Sequence, residues 1–501
     1  MLVTKGASAD GSVMVSHSND SLLSDPSFVF VPAKDHPRGA VRKIYPSALA
    51  LEEIADHDCF YVPRLVDGAR AAGYAFEGKA PTKALGEIPE VEHTYAYIDS
   101  DYGVMNEHGL MLGECTNHSG RLDKLPAVES AGIFYASELG RIALERCRTA
   151  REAIRLMGAL IDEYGLWGTG ETLLVADRDE GWVFEYQMTP TGAGGLWIAQ
   201  RVPDGEFFVA ANQFRIRSIE PNDPDQIFNP TLPEQLKALG WAEYDERGRV
   251  DWLRSIAGAE EIHPYYSLRR VWRAMTLAAP SSALPSRVEG WSTRAYPFSI
   301  KPDRPLTVRD VMNLHRDYYA GTAFDMTRGD GAGLFGSPYR YDKVNRERAI
   351  TDREISYAWI AQSKEELPRP IAWLSMNAPL ESVFVPLTVS RLPAYEQVDN
   401  NRFDGSKMWW VTAQVTTLTR GYFGNLIGDV RAEADRIEER SLELIERSSG
   451  LSAEEFSEAL IENAALIKED WRRLYERLLA KSISADGLGS ADGKPDDVES
   501  Y

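Results

Sequence analysis

Cysteine is scarce in this chain: Cys59, Cys115 and Cys147 are the only three in 501 residues. Three cysteines cannot build a disulfide framework, and no pair has zinc-ligand spacing. No run of about 18 apolar residues occurs, so the sequence contains no candidate membrane-spanning helix. Positive charge is also short. The net charge is −21, and such a chain lacks the basic face that nucleic-acid phosphates require. No basic segment followed by an apolar core opens the sequence, which makes the cytoplasm the default compartment. There is no His-Glu-x-x-His pair, so neither a metal nor a cofactor is expected. The glycine-rich stretch Arg328-Gly-Asp-Gly-Ala-Gly333 lacks the Gly-Lys-Ser/Thr ending of a phosphate loop and reads as a bent loop.

The remaining composition is that of a folded protein. Apolar residues make up 44% and charged residues 26% of the chain, and the length suffices for a large buried core. Val13 and Val15 alternate with Ser12, Met14 and Ser16, the period of a half-buried strand, which ends in the polar run His17-Ser-Asn-Asp20. Residues near 133–147 read as helix. Thr149 with Glu152 three positions on predicts a capped helix, whose apolar face runs through Ile154, Met157 and Ile161 to Gly165. Two hairpins are expected: Thr172–Ala176 with Trp182–Tyr186, and Leu196–Arg201 with Phe207–Asn212 about the turn Pro203-Asp-Gly205. Ser452 and Glu455 predict the start of a long closing helix. Strands, helices, then strands again predict an α+β layered fold. The expected organisation is one domain over residues 1–481 and a disordered tail over 482–501, rich in Gly, Ser, Asp and Lys.

The opening segment, Met1-Leu-Val-Thr-Lys-Gly-Ala-Ser-Ala-Asp-Gly-Ser12, resembles the start of the peptidase C69 dipeptidases. The resemblance continues in order along the chain. It includes Asn106-Glu-His-Gly-Leu-Met-Leu-Gly-Glu114-Cys-Thr116, Ala210-Ala-Asn-Gln-Phe-Arg215-Ile and Tyr265-Tyr-Ser-Leu-Arg-Arg270-Val-Trp-Arg273. Arg316–Thr327 and Gly333–Arg340 follow. No one of these motifs is specific, but the ordered set is. It implies the fold of N-terminal-nucleophile hydrolases, an αββα sandwich of two antiparallel sheets between helical layers. It also implies a dipeptidase acting on small peptides through an acyl-enzyme on an N-terminal cysteine.

In that family the mature chain opens with Cys-Thr-Xaa ahead of the residue aligned with Met1. The expectation is therefore that Met1 is internal and that the nucleophile lies three residues upstream. A terminal thiol would attack the amide carbonyl while its own α-amine, titrating near 8, carries the proton. Asp20 is the expected partner of that amine, Asn212 the oxyanion donor, and Thr116 a lining residue beside the reacting centre. Glu114 is a candidate for a substrate ammonium, with pairing to an arginine as the alternative, and Arg270, among Arg269, Arg273 and Arg340, is the candidate for a substrate carboxylate. Relatives carry Arg where this chain has His17, so His17 is the candidate for that vacated role on the substrate side. Cys115 stands where relatives have Thr and is expected to be an inert packed thiol. The expected partner is a small peptide, with self-association left open, and neither nucleic acid nor membrane is expected. Two other readings share the fold: a non-catalytic relative like the secernins, and an N-acyl amide hydrolase of the penicillin or bile-salt amidase kind.

Overall fold

A computed structural model describes residues 1–21, 24–46, 65–117, 119–122, 125, 130–257, 264–340 and 348–484. Two large antiparallel sheets dominate it. The first strand, β1 (Leu2–Val3), and the second, β2 (Val13–Asn19), belong to a six-stranded sheet. Its order is Phe207–Phe208, β1, β2, Tyr357–Ser363, Ile371–Met376, Val385–Thr388. The eight-stranded sheet is centred on Met111–Asn117, Gly170–Ala176, Gly181–Gln187 and Leu196–Val202. The architecture is thus α+β, as the sequence predicts.

Alternation along the strands builds the layers. Val13 and Val15 enter a core shared with Leu174, Val183 and Ile198 of the other sheet. Met14, between them, faces the opposite way and packs with Val271, Met275, Val311 and Met312 of helices Pro264–Ala278 and Val308–His315. Leu173 and Val175 likewise turn away from the other sheet, toward Ile142 of Ala136–Arg146 and Ile154, Met157 and Ile161 of Ala150–Tyr164. Each strand therefore serves two cores, because its period is two. Every fully buried aliphatic side chain in these layers is worth about 1.5–3 kcal/mol relative to exposure. At Gly113 and Gly181 the sheets come close: a Cβ there would stand 2.9 Å from Val15 Cγ1 and 2.6 Å from Leu2 Cδ2, respectively.

The capping signals hold. Thr149 and Glu152 form a reciprocal capping box, and Gly165 ends that helix at φ 73°. Ser452 and Glu455 bond reciprocally at the start of Ala453–Ser484. That helix runs through residues 482–484, the first three of the expected tail; residues 485–501, with Cys59 and His118, lie outside the described residues.

One hairpin forms as expected, Gly170–Ala176 with Gly181–Gln187. The other does not. Leu196–Val202 pairs with Gly181–Gln187 and Gln226–Phe228, whereas Phe207 and Phe208 cross to the other sheet and pair with Val3 and Leu2. The turn at Pro203–Gly205 is real, with Gly205 at φ 86°. It changes sheets because the Asp204 carboxylate accepts the Gly6 N–H and the Glu206 carbonyl accepts the Thr4 N–H and hydroxyl.

Helix Ala150–Tyr164 carries Gly158 against Trp197, where a Cβ would lie 2.4 Å from the indole. The indole cannot retreat, since it bonds Asp162 at 3.0 Å and stacks on Phe184. Gly158→Ala should therefore destabilise the chain: overpacking of about 1–3 kcal/mol outweighs a helix-propensity gain of about 1 kcal/mol. Thermal denaturation should show a lower Tm; a higher one would refute the close packing.

Candidate active site

β1 lies between two ladders. Leu2 pairs with Val15 on one side and with Phe208 on the other. At Met1 the backbone nitrogen bonds the Ser16 carbonyl at 2.9 Å, and the Ser16 N–H returns a bond of 2.8 Å to Met1 O. Beyond this pair the flanking segments continue, β2 to Asn19 and the other chain through Val209, Ala210 and Ala211 to Asn212. A cavity of about 320 Å³ lies along them. Burial pushes the Met1 amine down to about 5.

All six residues singled out in the sequence line this one cavity: Asp20, Asn212, Thr116, Glu114, His17 and Arg270. Their sequence positions span both sheets and a helix, so only the fold brings them together.

Asn212 is held by three contacts of its backbone N–H and side chain. It is a non-glycine residue at φ 54°, a conformation that asparagine tolerates better than most residues. Its backbone N–H points at Cys115 Sγ, 2.9 Å away. Its side-chain Nδ2 donates to Thr116 O at 2.8 Å, and its Oδ1 accepts from Arg270 Nη2 at 2.9 Å. With Oδ1 accepting, Nδ2 keeps a second N–H for another acceptor. Strained, over-determined residues of this kind concentrate at functional sites. Arg270 thereby spends one nitrogen on Asn212 and the Ala211 carbonyl, and its Nε on Tyr266 O.

Asp20 carries Arg348, whose Nη2 lies 2.7 Å from Asp20 Oδ2. The Arg348 guanidinium is buried, and burial opposes its charge; Asp20 and Asp352 more than offset that and hold its pKa high. Asp20 Oδ1 is buried and has no donor among the described residues. His17 does not supply a cation here. Its Nδ1 lies 2.8 Å from the Glu114 carbonyl, so Nδ1 bears the hydrogen. Burial lowers its pKa, against the opposing pull of Glu114. The ring packs on Trp359 as a neutral imidazole.

Glu114 accepts the Thr116 hydroxyl at 2.6 Å. Behind it stands Glu171, fully buried, bonded by the Tyr135 hydroxyl at 2.5 Å. Burial, then the neighbouring Glu114, push the Glu171 carboxyl well above the usual range. Glu171 accordingly keeps its proton. Cys115 is half-buried in the cavity wall rather than packed out of reach. Burial and Glu114 push its thiol up to about 12.

Sequence reasoning missed Arg348, Tyr102, Tyr266 and His315, which also line the cavity. Tyr266 lies within the Tyr265–Arg273 motif that resembles the family, and a closer reading of that motif could have found it. Arg348 lies in no such motif, and no sequence signal marks it.

A thiol titrating near 12 is ionised to about one part in ten thousand at pH 8. Peptide-resolved alkylation with iodoacetamide at pH 8 should modify Cys115 at least ~100-fold more slowly in the folded chain than in the unfolded one. Equal rates would show that the wall thiol is activated.

The profile of peptidase family C69 matches residues 78–436. The chain is 28% identical over 316 residues to a probable dipeptidase of Salmonella dublin, covering 60% of this chain and 67% of that one. It is 25% identical over 409 residues to a probable dipeptidase of Latilactobacillus sakei, covering 77% and 72%. Against a dipeptidase of Bifidobacterium longum it is 23% identical over 454 residues, covering 84% and 77%. The profile takes in Glu114, Thr116, Asn212, Arg270 and Arg348, four of the six expected site residues and the unforeseen arginine. With the two-sheet architecture and a profile match over more than half its length, this chain belongs to peptidase family C69.

Proposed function

We propose that the protein is a dipeptidase whose nucleophile is an N-terminal cysteine three residues upstream of Met1. The observation that carries this reading is the register of β1. Extended past Met1, the ladder with β2 puts the third upstream residue across from Asn19, next to Asp20. The ladder with Phe207–Phe208, extended equally, puts that residue across from Asn212. Two independent pairings thus bring the same position between the amine partner and the oxyanion donor assigned from the sequence.

The terminal amine is held by Asp20 Oδ1, with Arg348 limiting the net charge around it. A buried amine loses its proton more easily than one in water, which suits a base that works near neutral pH. The thiolate attacks the substrate carbonyl, and the oxygen that becomes negative accepts the second N–H of Asn212. Amine protonation of the leaving nitrogen frees the first product, and water releases the acyl group by the same proton transfers in reverse order. Glu114 takes the free ammonium of the dipeptide, with Glu171 as a protonated clamp behind it. Arg270 acts as a positioning residue for Asn212, which departs from its expected role as a carboxylate ligand.

Two experiments test this. A chain expressed so that processing exposes Cys-Thr-Xaa ahead of Met1 should hydrolyse dipeptides, and its Cys→Ala counterpart should not. Asn212→Ala in the active form should lower kcat by about 10²–10³. No turnover from the extended, folded chain would favour the non-catalytic reading.

Glu114→Gln should lower kcat/KM for dipeptides about 10- to 100-fold, the worth of a charge-assisted bond. It should leave any hydrolysis of N-acylated amides unchanged. A preference for N-acylated amides in the unaltered enzyme would instead favour the amidase reading.

A further inference from the structure

A second cavity, of about 260 Å³, shares no lining residue with the first. It lies between the segment that follows Asn212 and the loop near residues 291–298. Gln213, Arg215, Arg217, Arg294, Trp291 and Tyr296 are among its lining residues, and none of the lining residues is acidic. In a chain of net charge −21, three guanidiniums on one small cavity run against the overall balance.

Their charges are not matched by carboxylates. Arg217 Nη2 lies 2.6 Å and Arg294 Nη2 2.9 Å from the same oxygen, Asp251 Oδ2. One carboxylate therefore serves two cations. Arg215 forms no ion pair among the described residues. It is only 8% exposed; its Nη2 donates to the Pro297 carbonyl, and its Nε is buried with no acceptor among the described residues. A buried guanidinium is costly when it lacks both a counter-charge and a full set of acceptors. The carboxylate whose charge it feels most, Glu185, is turned to other work: it accepts the Arg215 and Ile216 backbone N–H groups and the Trp252 indole N–H. Burial pushes Glu185 up to about 7 and, together with Arg217, lowers Arg215 to about 10. The position also bears on the sequence, because Arg215 belongs to the Ala210–Ile216 motif, and the reaction proposed above leaves it without a task.

We propose that this cavity is a binding site for a small oxyanion, a carboxylate or phosphate group held by the guanidiniums of Arg215, Arg217 and Arg294. An anion supplies the acceptor that Arg215 Nε lacks and the negative charge that Asp251 alone does not provide. Arginine suits the task because its planar fork matches carboxylate and phosphate oxygens. Gln213 Oε1, also buried without a donor among the described residues, accepts from a ligand hydroxyl such as that of hydrogen phosphate. Trp291 and Tyr296 add apolar wall, so the site takes a compact group rather than a polyanion.

The test is calorimetric titration of the full chain with inorganic phosphate and, separately, with acetate, each against chloride at equal ionic strength. Saturable binding of either, weakened about 10-fold by Arg294→Gln and lost in Arg215→Met, is the expected result; which anion binds tells phosphate from carboxylate. Arg294 is half exposed, so its variant reports on binding even if Arg215→Met fails to fold. Binding of neither anion at millimolar concentrations overturns the proposal. So does binding that Arg294→Gln leaves unchanged.

Discussion

The site depends on a two-residue strand with partners on both sides. β1 is short, yet β2 and Phe207–Phe208 hold it from either edge. Registers of this kind are strict, because a slip of one residue turns every side chain to the opposite face. Here both faces are committed: Leu2 to the core between the sheets, Val3 to the core under helices Pro264–Ala278 and Val308–His315. The line of β1 is therefore set to a fraction of a residue spacing. That line leads into the cavity between Asp20 and Asn212.

Charge is arranged around this line by burial rather than by number. His17 and His315 are kept neutral by desolvation, so they add hydrogen-bonding capacity without adding charge. The Asp20–Arg348 pair places opposite charges where a lone carboxylate would attract any cation. Glu171 retains its proton behind Glu114, so burial keeps a further negative charge from building up there. The same low polarity that keeps the imidazoles neutral keeps the Cys115 thiol protonated. One physical cause thus separates an available wall sulfur from a working nucleophile.

Much of the fold is written in local pattern. Strand alternation at Val13–Val15, the Thr149–Glu152 box and the Ser452–Glu455 box are nearest-neighbour effects, and each appears where the sequence puts it. The segment Phe207–Asn212 shows where local pattern stops. Its β-rich residues and its turn are legible, but the partner strand is not, since pairing is decided by which edge remains open. Leu196–Val202 already has Gly181–Gln187 and Gln226–Phe228 as neighbours, so Phe207 and Phe208 cross to β1. That crossing delivers Asn212 to the cavity. A hairpin at this place would have left it on the other sheet.

The sequence by itself determined the layered class, the helix starts, the family, and the residue types gathered at Glu114, Thr116 and Asn212, because these rest on local periodicity and ordered motifs. Only the tertiary structure decided that Arg348 meets Asp20 across 328 residues, that Arg270 steadies Asn212, and that Arg215 lacks a counter-charge. Those are contacts between distant segments. Their strength depends on burial and on which partners remain unsatisfied, and neither quantity exists until the sheets have packed.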